Sequence, residues 1–201
     1  MVKKKGKGKT KTKKSVAMVK DPIAKKDPYS FEPFETWKWM RYETNEVIDL
    51  SQWLDNYKDR KFFIGTDSQQ YPKSKRCVFT SVVVAWDYDE AMGCGHGATV
   101  VRHVDKRPFI PIQALSARLT VEVQRSIEIC KFVENTLLDL SDAENEYYKN
   151  ILAVTIDVSK NDIDLSCRYK DALVGMVMAY GWTALVKPDA WAANKVADRK
   201  C

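Results

Sequence analysis

The feature of this sequence that most restricts its fold is the order of its apolar runs. Residues 62–66 and 77–86 are short runs rich in aromatic and β-branched side chains, which is typical of buried strands. The polar segment between them contains Pro72 and suits a hairpin, and a third run at residues 98–104 follows a glycine-rich turn. These three runs predict an antiparallel meander.

Helical and strand-like patterns alternate in the rest of the chain. We predict a long helix over residues 112–140, a strand over 151–156, a helix over 169–180 closed by Gly181, a strand over 183–186 and a short last helix from residue 191. Alternation of this kind implies right-handed crossovers. The predicted fold class is therefore α/β, a mixed five-stranded sheet in the order βββαβαβα with flanking helices.

The N-terminal part of the chain differs in composition from the rest. Residues 1–26 hold eleven Lys and one Asp, so they carry +10, and a total of +6 leaves −4 for the remaining 175 residues. We predict that residues 1–27 are a disordered basic arm, because they offer too little apolar surface to offset the entropy of ordering. Such an arm could neutralise phosphates, or it could be a solubilising or targeting extension, and both interpretations remain open.

An aromatic-rich segment follows the basic arm. Residues 28–42 contain six aromatic residues, and residues 43–57 show helical spacing. We predict that residues 28–58 pack on the body of the protein, although a surface that stacks single-stranded bases would use similar residues. Residues 59–201 are then the main domain.

Apolar length and cysteine usage indicate where the protein works. No window approaches the roughly 18 apolar residues of a membrane helix, so we expect no membrane partner. Five scattered cysteines suit reduced thiols better than a disulfide framework. These features predict a cytoplasmic protein, in the host cytoplasm if its source is viral.

Three acids occupy special positions in the predicted pattern. Asp67 lies just beyond the apolar part of the first strand, Asp157 ends the fourth strand, and Asp198 lies in the last helix. Ligand sites of open α/β sheets form beyond strand ends. One such Asp commonly caps a turn, whereas two at adjacent strand ends indicate a binding site.

The long helix adds a fourth acid. With about 100° per residue, its apolar residues cluster on one stripe, Glu122 falls on the edge of that stripe, and Glu128 falls on the far side. A carboxylate at a buried position needs a partner or a metal ion. Glu122 could instead reach water at the border of the stripe, or pair with Arg118 or Arg125.

Four such carboxylates suit one kind of chemistry. Hard oxygen ligands bind Mg²⁺ or Mn²⁺ and leave positions for water and phosphate. Two ions roughly 4 Å apart can activate water and stabilise a leaving oxygen in phosphodiester hydrolysis.

The same residues carry a family resemblance. Residues 63–69, 122–123, 155–157, 187–193 and 196–199 resemble the YkuK-type family of predicted ribonuclease H-like nucleases, over roughly residues 60–200. The resemblance implies a ribonuclease H-like sheet whose first three strands are antiparallel. It also implies a catalytic and metal-binding acidic cluster, which consists of Asp67, Glu122, Asp157 and Asp198.

Further site residues follow from this resemblance. Asp189 is an extra or replacement metal ligand, and Ser68 and Gln69 are expected to contact substrate. Lys187 could contact a phosphate or could be a solvated lysine at a strand end. The sequence therefore predicts a metal-dependent nuclease that acts on RNA, DNA or a hybrid. The alternative is a non-catalytic nucleic-acid-binding or assembly protein that retains the fold.

Overall fold

The computed structural model describes residues 27–89, 94–110, 114–140, 151–161 and 163–200. The predicted basic arm lies outside the described residues, apart from Asp27. The strands are β1 (Trp39–Arg41), β2 (Val47–Ile48), β3 (Lys61–Tyr71), β4 (Arg76–Asp89), β5 (Cys94–Pro108), β6 (Leu152–Ile156) and β7 (Thr183–Val186). The α-helices are α1 (Leu50–Asp55), α2 (Leu115–Asp139) and α3 (Lys170–Met178).

The described strands form one mixed sheet in the order β2-β1-β5-β4-β3-β6-β7. Strands β3, β4 and β5 are antiparallel neighbours, which confirms the predicted meander. Strand β6 pairs in parallel with β3, and β7 pairs in parallel with β6, as crossovers through helices require. The mixed α/β class and the element order after residue 60 are therefore confirmed.

The sheet has seven described strands. The prediction of five was wrong because the segment before α1 adds two short strands, β1 and β2. Residues 43–57 do not form one helix: β2 pairs with β1, and β1 pairs with the edge of β5. Asn45 adopts a left-handed conformation with φ of 61°, which turns the chain between these short strands. Helix α1 begins only after Asp49, whose side chain accepts a hydrogen bond from the Gln52 backbone N–H at 3.0 Å.

Several predicted boundaries also shift. Strand β3 continues through polar residues to Tyr71, because β4 pairs with it along its whole length. A 3-10 turn, Leu165–Tyr169, comes before α3. The predicted last helix is a π-helical turn, Ala192–Ala197, followed by a 3-10 turn, Asp198–Lys200. We call these two turns the C-terminal helical segment.

Apolar side chains fill both faces of the sheet. The larger core lies between the sheet and the α-helices, and it includes Leu54, Phe62 and Ile64. The smaller core lies under the C-terminal helical segment, where Val82 and Val84 pack with its alanines. None of the described helices combines the length and apolarity needed to cross a membrane.

The aromatic-rich segment packs against the larger core and covers a buried arginine. Trp37 and Trp39 are buried there, and the Arg125 side chain of α2 is fully buried beneath this segment. The Arg125 guanidinium carbon lies 5.2 Å from the Trp37 ring centre and 5.3 Å from that of Phe31. Arg125 also forms an ion pair with Asp105, from Nη2 to Oδ2 at 2.5 Å.

Candidate active site

The pleat of β3 sends neighbouring side chains to opposite faces of the sheet. Ser68 Oγ donates a hydrogen bond to Glu122 Oε1 of α2 at 2.5 Å, so Ser68 faces the α2 side. Gly65 faces the C-terminal helical segment, because a Cβ atom added there would lie 2.7 Å from the backbone nitrogen of Ala193. Asp67 lies two residues after Gly65 in β3, so its side chain is on the same face of the sheet as Gly65.

Asp157 lies level with Asp67, one residue beyond the end of the neighbouring strand β6. In the parallel pair of β3 and β6, Gly65 is opposite Thr155, and each aspartate lies two residues further on. Thr155 faces the C-terminal helical segment, since its Oγ1 accepts a hydrogen bond from the Ala193 backbone N–H at 3.0 Å. Asp157 follows β6 directly, and its carboxylate is close enough to Asp67 to raise the pKa of that group.

Glu122 and Asp198 approach this strand end from the flanking elements. Glu122 is only 4% exposed, which confirms the position that helical phase predicted for it. Asp198 begins the last turn of the C-terminal helical segment and is exposed. The structure thus brings these acids to the end of the β3–β6 pair from both sides.

The acids strongly perturb one another. Burial, the nearby carboxylate of Asp157 and that of Asp198 raise the pKa of Asp67 from 3.8 to about 7, against opposing effects of the Ser68 backbone N–H and Arg118. Burial raises the pKa of Glu122 from 4.5 to about 8, with Asp67 as the largest charge contribution and Asp157 as a smaller one. Strongly perturbed carboxyl groups beside a cleft indicate a functional site.

Arg118 holds Glu122 and β3 together. Its Nη1 donates hydrogen bonds to the backbone oxygen and to Oγ of Ser68, both at 2.8 Å, and to Glu122 Oε1 at 3.3 Å. Of the two arginine partners considered for Glu122, the structure selects Arg118, because Arg125 pairs with Asp105 instead. Ser68 therefore orients Glu122 within the protein.

The remaining predicted site residues lie at the surface of this region. Lys187 Nζ is 2.8 Å from Asp157 Oδ1, an ion pair without the alignment of a hydrogen bond. Asp189 is exposed and forms an ion pair with Lys160 at 3.3 Å, so it has a partner outside the four acids. Gln69 is exposed, and its Oε1 accepts a hydrogen bond from the Tyr71 hydroxyl at 2.8 Å.

The four acids are of the right chemical type to bind a divalent cation, but their arrangement is not that of a metal site. Carboxylate oxygens are the ligands that Mg²⁺ and Mn²⁺ prefer. Burial and then mutual repulsion raise the pKa of Asp67 and of Glu122, and a cation would relieve that repulsion. Within the described ranges, however, no group of three or more His, Cys, Asp or Glu residues has an arrangement that could hold a metal ion.

Sequence reasoning missed a cleft beside this site. The cleft has a volume of about 660 Å³, and its polar lining includes Ser68, Gln69, Arg118 and Arg168. The position of Arg118 four residues before Glu122 was a usable signal, since such residues share a helix face. Arg168 lies in an irregular turn and gave no such signal.

Comparison with known proteins gives one match. A family described as "Ribonuclease H-like" matches residues 45–201, which include all four acids and most of the chain. The narrower resemblance to the YkuK-type family is compatible with this match. Comparisons with curated proteins and with solved structures gave no match.

Proposed function

Because the chain belongs to the Ribonuclease H-like family, we propose that it is a nuclease that hydrolyses phosphodiester bonds at the acids described above. One observation carries this proposal. Four carboxylates from separate elements come together here, and burial together with repulsion between neighbouring carboxylates raises the pKa of Asp67 to about 7 and that of Glu122 to about 8. A protein that used this face only for packing would have no reason to collect like charges there.

Asp67, Glu122, Asp157 and Asp198 are the residues that would hold Mg²⁺ or Mn²⁺. Bound cations would supply Lewis-acid stabilisation of the phosphate and a more acidic water molecule. All four side chains offer oxygen ligands, which these cations prefer. The burial of Asp67 and Glu122 limits competition from water for the bound cation.

The surrounding residues would position the acids and the substrate. Ser68 and Arg118 fix one oxygen of Glu122, so that the carboxylate keeps one orientation. Lys187 is close enough to Asp157 to balance its charge, and the same ammonium could contact a substrate phosphate when the acids are otherwise neutralised. Gln69 is exposed at the same strand end and is available to the nucleic acid.

The direct test is cleavage of labelled RNA, DNA and hybrid substrates with Mg²⁺ or Mn²⁺. We expect Asp67→Asn to lower the rate at least about a hundredfold, since a lost charge on a metal ligand costs several kcal/mol of transition-state stabilisation. Asp55→Asn is the matched control, because Asp55 is exposed on α1 and pairs only with Lys58 among the described residues. Equal rates for both variants would remove the basis of the proposal.

The ion pair between Lys187 and Asp157 favours a second candidate function. An ammonium that already neutralises one acid suits a protein that binds nucleic acid without cutting it. On this alternative, no substrate is cleaved with either cation, and nucleic-acid binding is the same in the wild type and in Asp67→Asn. Cleavage that depends on Asp67 would exclude the alternative.

A further inference from the structure

The cleft beside the acids has three walls of different origin. Strand β3 contributes Gln69 and Gln70, helix α2 contributes Arg118, and the 3-10 turn before α3 contributes Arg168 and Tyr169. We call it the Arg118–Arg168 cleft. It is continuous with the acidic site, because Ser68 lines the cleft and also hydrogen-bonds to Glu122.

The charge of the cleft suits an anion. Two guanidinium groups line it, whereas none of its described lining residues is Asp or Glu. Arg168 is exposed and forms no ion pair with any residue in the described part of the chain. Arg118 uses Nη1 for its hydrogen bonds to Ser68 and Glu122, so it is already fixed in place. Planar guanidinium groups are well suited to phosphate oxygens.

The rest of the lining is apolar and suits a flat ring. Tyr169 and Leu115 line the cleft, and so does Leu165, which is 65% exposed although it is a large apolar side chain. Any of the nucleobases can stack on an aromatic side chain, because each has a flat π-face. A volume of about 660 Å³ lies within the range of roughly 300–1,000 Å³ that is usual for small-ligand pockets, so a nucleotide fits.

We propose that the Arg118–Arg168 cleft binds one unpaired nucleotide of the substrate strand, with its base against Tyr169 and its phosphate near Arg168. A base in a regular duplex is stacked and paired, and it could enter the cleft only after being turned out. The substrate class is therefore single-stranded nucleic acid, or the single-stranded end of a duplex. The position of this nucleotide next to the cleaved phosphate rests on the proposed function, whereas its binding does not.

The test measures binding without cleavage. Fluorescence anisotropy with the full chain in EDTA would compare labelled single-stranded RNA and DNA with blunt duplexes of the same sequence. A salt concentration of about 0.2 M weakens binding that depends only on exchange of counterions at lysines. We expect the single strands to bind more tightly than the duplexes.

Two variants, each with a control, identify the cleft as the binding site. Tyr169→Leu removes the ring but keeps apolar volume, and it should weaken single-strand binding about 5- to 100-fold, as expected for loss of one stacked base. Tyr169→Phe should bind as the wild type does. Arg168→Gln should weaken binding several-fold, whereas Arg60→Gln, the same charge change just before the other end of β3, should alter it less than about twofold.

The outcomes separate the two proposals. Weaker single-strand binding in Tyr169→Leu and Arg168→Gln supports the cleft even if no substrate is ever cleaved. The proposal is overturned if both variants bind single strands as the wild type does, or if blunt duplexes bind equally well and respond equally. Cleavage that depends on Asp67 together with such unchanged binding would keep the nuclease and discard the cleft.

Discussion

A methyl group added at Gly65 should destabilise this protein far more than a glycine-to-alanine change normally does. The new Cβ atom would lie 2.4 Å from Thr155 Oγ1 and 2.7 Å from the Ala193 backbone nitrogen. Neither neighbour can move freely. Thr155 Oγ1 donates a hydrogen bond to the Ile64 carbonyl oxygen and accepts one from the Ala193 backbone N–H, both at 3.0 Å and buried.

The magnitude follows from these contacts. Overpacking of a closed core costs about 1–3 kcal/mol. Separation of Ala193 from Thr155 leaves a buried donor unsatisfied, which costs about 1–3 kcal/mol more. We therefore expect Gly65→Ala to lower the free energy of unfolding by about 2–6 kcal/mol. Domains of this kind have about 5–15 kcal/mol in total, so the variant should still fold.

Urea denaturation followed by circular dichroism measures this loss. Gly175→Ala is the matched control, because Gly175 is an exposed position in α3 and a Cβ there would meet nothing within 4 Å. That change should stabilise the protein by about 0.5–1 kcal/mol. A loss below about 0.5 kcal/mol for Gly65→Ala would refute the idea that the C-terminal helical segment needs a bare backbone at Gly65.

Three other predictions concern charge. In EDTA, the free energy of unfolding should fall as pH rises from about 4 to 8. The raised pKa values of Asp67 and Glu122 let the folded state bind more protons than the unfolded state across that window. Urea titrations at several pH values measure this fall, and Asp67→Asn should make it less steep. Arg125→Ala should cost about 3–5 kcal/mol by leaving Asp105 poorly paired. The same change at the half-buried Arg41, which pairs with Glu46, should cost about 1 kcal/mol or less, and urea denaturation measures both. Deletion of residues 1–26 should flatten the salt dependence of nucleic-acid binding, and an unchanged slope would contradict a binding role for the arm.

Local patterns predicted much of the main sheet and the burial of one acid. The β-branched run of β4 and the apolar stripe of α2, which sets the position of Glu122, are patterns that extend over many residues. Single exceptions therefore do not hide them. The placement of Asp157 directly after β6 followed from its position after an apolar run, whereas Asp67 lies within β3, because pairing with β4 continues that strand to Tyr71. Their roles as catalytic or metal-binding residues remain predictions.

Features that depend on distant parts of the chain could not be predicted. The two-residue strand β2 exists because β1 pairs with it. Val47 is apolar but 66% exposed, so its apolar side chain is a misleading signal of burial. Helical phase places Arg125 away from the apolar stripe of α2, yet its side chain is fully buried. That phase argument assumes one covered face, whereas the aromatic-rich segment covers a second.

The aromatic-rich segment belongs to the core of the protein but lies mostly before the residues that match the family. The family match begins at residue 45, whereas Trp37 and Trp39 are already in the core. A polypeptide trimmed to the matched residues would lose β1 and leave the guanidinium of Arg125 without the rings of Phe31 and Trp37. The residues that match the family and the residues that build the core therefore begin at different positions in this protein.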